Sequence, residues 1–316
     1  MKVLFITNMF PVPDYIYFGI HVKEQIEAIE KVVNLEKEVY FINGREKKWN
    51  YFKSIGEIKK LAKSGNFDLI HIHFGLSGVF LLFNPFITIP TVLSIHGSDL
   101  NSNKMFGLMR FITKALVKKV SGVIVMNETM AEKLSAYRKK VFVQACGINL
   151  RLFEKEVIPK SNDKILIGFP GNQARREKNF SLFQQIIQLL NREIDTEMIA
   201  FHNMSRSEVA QNLNKIDLLL MTSTSEGSPQ IIKEAMACNK AIISTAVGDV
   251  KLLLNGVKNC TVVNTFNPED FISPILELLN RPSGERSSDG REKLIGIGLD
   301  SQSVAESINK FYQSLV

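Results

Sequence analysis

A chain of 316 residues is long for one hydrophobic core and suits two of ordinary size. With 45% hydrophobic and 22% charged residues it is neither disordered nor collagen-like, and three scattered cysteines (Cys146, Cys238, Cys260) make neither a disulfide framework nor a zinc ribbon. The net charge of +7 is uneven: 23 Lys/Arg against 14 Asp/Glu through residue 160, and 16 against 18 after it. The first half therefore favours an anionic partner. With no secretory leader ahead of the first strand, the expected setting is the reducing cytoplasm.

The chain opens on a buried strand, Lys2-Val3-Leu4-Phe5-Ile6-Thr7, then a Pro-rich loop through Gly19 and a helix over about 22–33. Short apolar runs follow at 39–42, 69–73, 92–95 and 122–125, with helical patterns between most of them. That alternation predicts a parallel sheet covered on both faces. Between Asp68 and Asp99 no residue carries a fixed charge, so the stretch has to be tested as a membrane span. Asn84, Pro85 and Pro90 interrupt it, and two strand-like runs bracket a helix-like one, which favours buried α/β structure. Residues 104–119 predict a helix carrying Arg110, Lys114 and Lys118 beside Met105, Phe106, Leu108, Phe111, Ile112 and Leu116. Such a helix suits an anionic membrane surface and suits a sheet face equally well.

A polar segment, 154–163, containing Pro159, reads as the linker. A second alternating series then runs through 164–168, 197–200, 218–221, 241–244 and 261–263. The last helix, 304–315, sets Val304, Ile308, Phe311, Tyr312 and Leu315 on one face. The expectation is two Rossmann-like domains facing across a cleft, 1–158 and 159–300, with 301–316 crossing back onto the first.

The string 221–237, from Met221 through Glu226-Gly227-Ser228-Pro229 to Glu234-Ala235-Met236-Ala237, reads as strand end, loop and helix start. Ser228 suits the N-cap and Pro229 the first helical position. Glu226 then lies on the loop at the C-terminal edge of a sheet, where open α/β sheets bind ligands, and Glu234 lies within the helix. Carboxylates accept strongly from paired sugar hydroxyls, and the N–H groups around Gly227 suit an anion. Two ordinary surface glutamates are the rival reading of such a pair.

The string resembles the donor motif of the GT-B-fold family 4 glycosyltransferases (group 1, retaining), a Glu-x7-Glu in the frame Ser-x-x-Glu-Gly-x-Pro-x-x-x-x-Glu-Ala-Met-Ala-Cys. The likeness continues into Val247-Gly248-Asp249-Val250. It implies that Glu226 contacts the donor sugar and Glu234 the nucleotide ribose. The segment Gly171-Asn172-Gln173-Ala174-Arg175-Arg176-Glu177-Lys178 is similar to the family's Gly-Arg…Lys, which puts Lys178 at the lysine on the donor diphosphate. Asn172 stands where the family has arginine, so either Arg175 or Arg176 is the replacement. His96-Gly97-Ser98-Asp99 resembles the family's His-Gly-x-Asp, with His96 beside the reaction centre, and Gly19 lies in the loop near the donor phosphates. His71 and His73 read as core residues. Cys146-Gly147-Ile148-Asn149 resembles the segment that closes the first domain.

What the resemblance implies is a retaining transfer, without a metal or cofactor, from a nucleotide diphosphate sugar, the UDP form favoured over GDP. The acceptor would be a saccharide or lipid-linked saccharide of cell-surface polysaccharide or glycolipid synthesis. A peripheral seat on the inner face of an anionic membrane goes with the basic first half, and no nucleic-acid motif is present. The rivals are a nucleotide-sugar epimerase of similar fold and a non-catalytic sugar-nucleotide-binding protein.

Overall fold

The computed structural model describes residues 1–84, 87–101, 107–158 and 164–316. It divides into two compact units, Met1–Gly147 with Ser301–Val316, and Ile148–Asp300.

The first unit is built on a parallel sheet of six strands in the order β2-β1-β3-β4-β5-β6. These are β1 Lys2–Thr7, β2 Glu36–Phe41, β3 Leu69–His73, β4 Thr91–Ile95, β5 Gly122–Val125 and β6 Val141–Val143. β1 pairs in register with both β2 and β3. β3, β4 and β5 are buried throughout, as apolar runs covered by helices on both faces require. The uncharged stretch before Asp99 thus folds as β3, the short helix Phe80–Phe83 and β4. Among the described residues no helix is long and apolar enough to cross a membrane. The closing helix, Ser301–Gln313, buries Val304, Ala305, Ile308 and Tyr312 and belongs to this unit.

The second unit carries five parallel strands ordered β11-β10-β9-β7-β8: β7 Ile165–Phe169, β8 Thr196–Ala200, β9 Leu218–Met221, β10 Ala241–Thr245 and β11 Cys260–Val263. One face of the sheet packs on Phe169, Phe183, Ile186, Phe271 and Ile275, the other on Leu213, Ile232, Met236 and Leu253. The division between units falls at Gly147, ahead of the boundary at 158 expected from composition. Ile148 and Phe153 are the reason: both are buried in the second unit's core, where Arg291 donates to the carbonyls of Leu150 and Phe153 at 2.9 and 2.8 Å. Of the expected linker, residues 159–163 lie outside the described residues, as do 104–106 of the expected basic helix, which is described as Gly107–Lys119.

Candidate active site

Because β7 pairs with β9, the loops that leave their C-terminal ends lie side by side. Hydroxyls stitch these loops together. Thr222 Oγ1 donates to the carbonyls of Lys178 and Asn179, each at 3.1 Å, and the Thr224 amide donates to Glu177 O at 2.8 Å. From β10, Thr245 Oγ1 donates to Ser223 O at 2.6 Å. The run Thr222-Ser223-Thr224 is thus the clamp that fixes the height of Glu226.

Glu226 receives Lys178 Nζ at 2.7 Å and Ser223 Oγ at 2.9 Å, both on Oε1. The two charged side chains are 12% and 17% exposed, dry enough to feel each other and open enough to meet a ligand. Gly171 lies against Lys178, since a Cβ there would stand 3.2 Å from Lys178 Cε. Gly248, at φ +57°, supports the Glu226 loop from below, and a Cβ there would fall 2.3 Å from the Gly227 carbonyl oxygen. The motif's extension through Val247-Gly248-Asp249 is therefore a packing requirement of the glutamate loop. Asp249 is buried beside Lys233, and burial raises its carboxyl above the usual range.

The helix of the motif is Gln230–Ala237, one residue shorter at its start than the sequence predicts. Pro229 takes the cap position with extended angles (φ −69°, ψ 118°) and no side chain caps it. The Ser228 hydroxyl is buried beside Asp249 and so does not cap the helix. Glu234, on that helix, is buried and pairs with Arg206, Nη2 to Oε1 at 2.7 Å. Of the alternatives for the family's arginine, Arg175 turns back on Glu177, Nε to Oε1 at 2.6 Å, and both Arg175 and Arg176 are exposed. Asn172 accepts the Ala174 amide at 2.8 Å, closing its own turn.

His96 and Gly19 stand in the first unit. His96 follows β4, stacks on Phe74 with ring centres 4.3 Å apart, and meets His73 Nδ1 through Nε2 at 3.1 Å. His21 presents its edge to the same ring at 5.1 Å. Phe74 holds φ +69°, a strained value for an aromatic residue, and such strain concentrates at functional sites. His71 and His73 are fully buried, and burial lowers both, His71 to about 3 and His73 well below 6.5, so both are neutral. Gly19 is needed for a local reason: at φ +69°, a Cβ would lie 2.3 Å from the Met9 carbonyl.

Arg206, Phe74 and the hydroxyl clamp escaped the sequence reading. Arg206 had a signal. Ser205-Arg206-Ser207-Glu208 is a capping box, realised here in full, and it fixes Arg206 as the first residue of a helix that follows a strand's C-terminal end.

The chain matches two family models, Glycosyltransferase Family 4 over residues 18–152 and Glycosyl transferases group 1 over residues 182–281. The uncharacterized glycosyltransferase MJ1178 of Methanocaldococcus jannaschii is 24% identical over 293 residues, covering 81% of this chain and 78% of that protein. The glycosyltransferase TuaC of Bacillus subtilis, named for teichuronic acid biosynthesis, is 27% identical over 218 residues, 59% of this chain and 55% of TuaC. Among solved structures, Anabaena HepE in complex with UDP and glucose superposes over 100% of both chains with a TM-score of 0.74 at 14% identity. With both halves matched and the glutamate, lysine and histidine motifs in place, the chain belongs to the family 4, group 1 glycosyltransferases and has their two-domain α/β fold.

Proposed function

We propose that this glycosyltransferase moves a sugar, with retention, from a nucleotide diphosphate sugar to a saccharide or lipid-linked acceptor, the UDP form of the donor favoured over the GDP form. The observation that carries the reading is the Lys178–Glu226 pair, one cation and one acceptor at 2.7 Å on two loops at the C-terminal edge of the second sheet. In the reaction Lys178 turns to the departing diphosphate oxygen, and Glu226, released, accepts from hydroxyls of the donor sugar. Glu234 takes the ribose, and His96 donates to the sugar while Phe74 and His73 hold its ring. HepE, solved with UDP and glucose, and TuaC, named for teichuronic acid biosynthesis, support this choice of donor and acceptor.

The first unit also offers a peripheral seat on an anionic membrane. In the helix Gly107–Lys119 Thr113, Leu116 and Val117 face the protein, whereas Leu108 and Phe111 are each 71% exposed, on the helix that carries Arg110, Lys114 and Lys118. Apolar anchors flanked by cations fit the interface of a charged bilayer. Co-sedimentation with phosphatidylglycerol vesicles, lost in a Leu108→Ser, Phe111→Ser variant, is the expected result; equal retention by the variant would sink the seat.

The donor reading is tested by thermal shift against a panel of nucleotides and nucleotide sugars, followed by transfer assays of Lys178→Ala and Glu226→Ala. A selective upward shift by one nucleotide diphosphate and loss of transfer in both variants are expected. Undiminished transfer in either variant overturns the assignment.

A further inference from the structure

Arg206 opens the helix Arg206–Lys215 on the loop after β8. Its guanidinium meets a single oxygen of Glu234, Oε1 at 2.7 Å, with the two side chains 19% and 3% exposed. The same guanidinium lies over the ring of fully buried Phe153, 4.7 Å from its centre. Carboxyl oxygens this deep need a hydrogen-bond partner, and a fork held on an aromatic face is a rigid one. The bond therefore fixes the rotation of the carboxylate about its last torsion. Two other cations near the motif are committed elsewhere, Lys178 to Glu226 and Arg175 to Glu177.

We propose that Arg206 is a positioning residue for donor recognition, holding Glu234 in the orientation in which its carboxyl oxygens accept from the hydroxyls of a nucleotide ribose. The proposal rests on the reading of the second unit as the donor site. It also sets the expected kinetic signature: Arg206 acts on binding of the nucleoside end, which is uniform between ground and transition states, so its loss raises the donor KM and leaves kcat nearly unchanged.

The test compares affinities for uridine and guanosine 5′-diphosphates with those for their 2′-deoxy forms, by calorimetry. Two hydroxyls accepted by a fixed carboxylate should favour the ribo form of the preferred base by roughly tenfold. Glu234→Gln is expected to bring that ratio toward one, and Arg206→Lys to do the same, with affinity for the deoxy form held within about twofold of wild type because the diphosphate contacts are intact. Arg206→Met leaves the buried Glu234 carboxyl without its partner and is expected to destabilise the fold, so Arg206→Met with Glu234→Gln, which removes both members of the pair, supplies the matched control. If Arg206→Lys keeps the wild-type ratio while Glu234→Gln loses it, Arg206 is a structural partner only and the proposal falls while the donor site stands. If Glu234→Gln keeps the ratio, the ribose role of Glu234 is wrong and the Arg206 proposal goes with it.

Discussion

In the proposed transfer Lys178 is the residue on which the chemistry most depends, because there it would place a cation at the leaving group, where charge develops. Removing one such group from a preorganised site costs about 3 kcal/mol, or roughly a hundredfold in kcat. Lys178→Met should therefore cut kcat by two orders of magnitude while the thermal midpoint moves by a few degrees at most, measured by initial rates at saturating donor and by calorimetry. A kcat within threefold of wild type would remove Lys178 from the mechanism. Gly248 gives a second residue-scale prediction. Gly248→Ala adds a collision with the Gly227 carbonyl to the strain of φ +57°, whereas Gly256→Ala at φ +75° meets open space and suffers the strain alone. The second change should cost about 1 kcal/mol and the first distinctly more, with transfer activity falling only for Gly248→Ala, as urea titrations and rate assays would report. Lys178, Glu226 and Glu234 were legible in the sequence because their chemistry is written in residue type and spacing. The pairing of Arg206 with Glu234 and the strain at Phe74 were not, because a contact across 28 positions and a positive φ on a bulky residue leave no periodic trace.

At the scale of elements, hydrophobic pattern located ten of the eleven strands among the described residues, since each is an apolar run between polar breaks. β6 was missed: three residues after the basic turn Ser135–Lys140 make too short a run to stand out. The boundary near Gly147 was misplaced for a different reason, because composition marks polar stretches and cannot say which core Ile148 and Phe153 enter. The helix Ser301–Gln313 was expected to return to the first domain, and one bond inside that unit ties it there. Tyr312 Oη lies 2.5 Å from His71 Nδ1 on β3, with both residues fully buried. Tyr312→Phe leaves the histidine nitrogen without its partner and should cost about 2 kcal/mol, whereas Phe311→Leu at the half-buried neighbouring position should cost less. Equal urea midpoints for wild type and Tyr312→Phe would show the bond to contribute nothing.

For the whole molecule, the distribution of histidines makes the two units respond differently to acid. Four of the five histidines, His21, His71, His73 and His96, lie in the first unit. His71 and His73 have folded values depressed below 6.5 by burial, so the stability tied to their neutral forms is present above pH 6.5 and is lost as pH falls toward the folded values. For His71, depressed to about 3, the loss between pH 7 and pH 5 is about 2 kcal/mol, and His73 adds to it in the same direction. Asp99 opposes them. Burial raises its carboxyl to about 6, so its ionisation weakens the fold as pH rises and acid relieves that cost, by about 1 kcal/mol over the same interval. The two histidines outweigh the one carboxyl, and the first unit should therefore unfold ahead of the second at pH 5. Trp49, the single tryptophan, lies in the first unit and reports on it alone, whereas far-ultraviolet circular dichroism reports on both. At pH 7 the fluorescence and dichroism midpoints in urea should lie close together. At pH 5 the fluorescence midpoint should move to lower urea, further in Asp99→Asn and less in His71→Gln. Midpoints that keep the same separation at both pH values would show that the buried histidines do not set the acid stability of this unit.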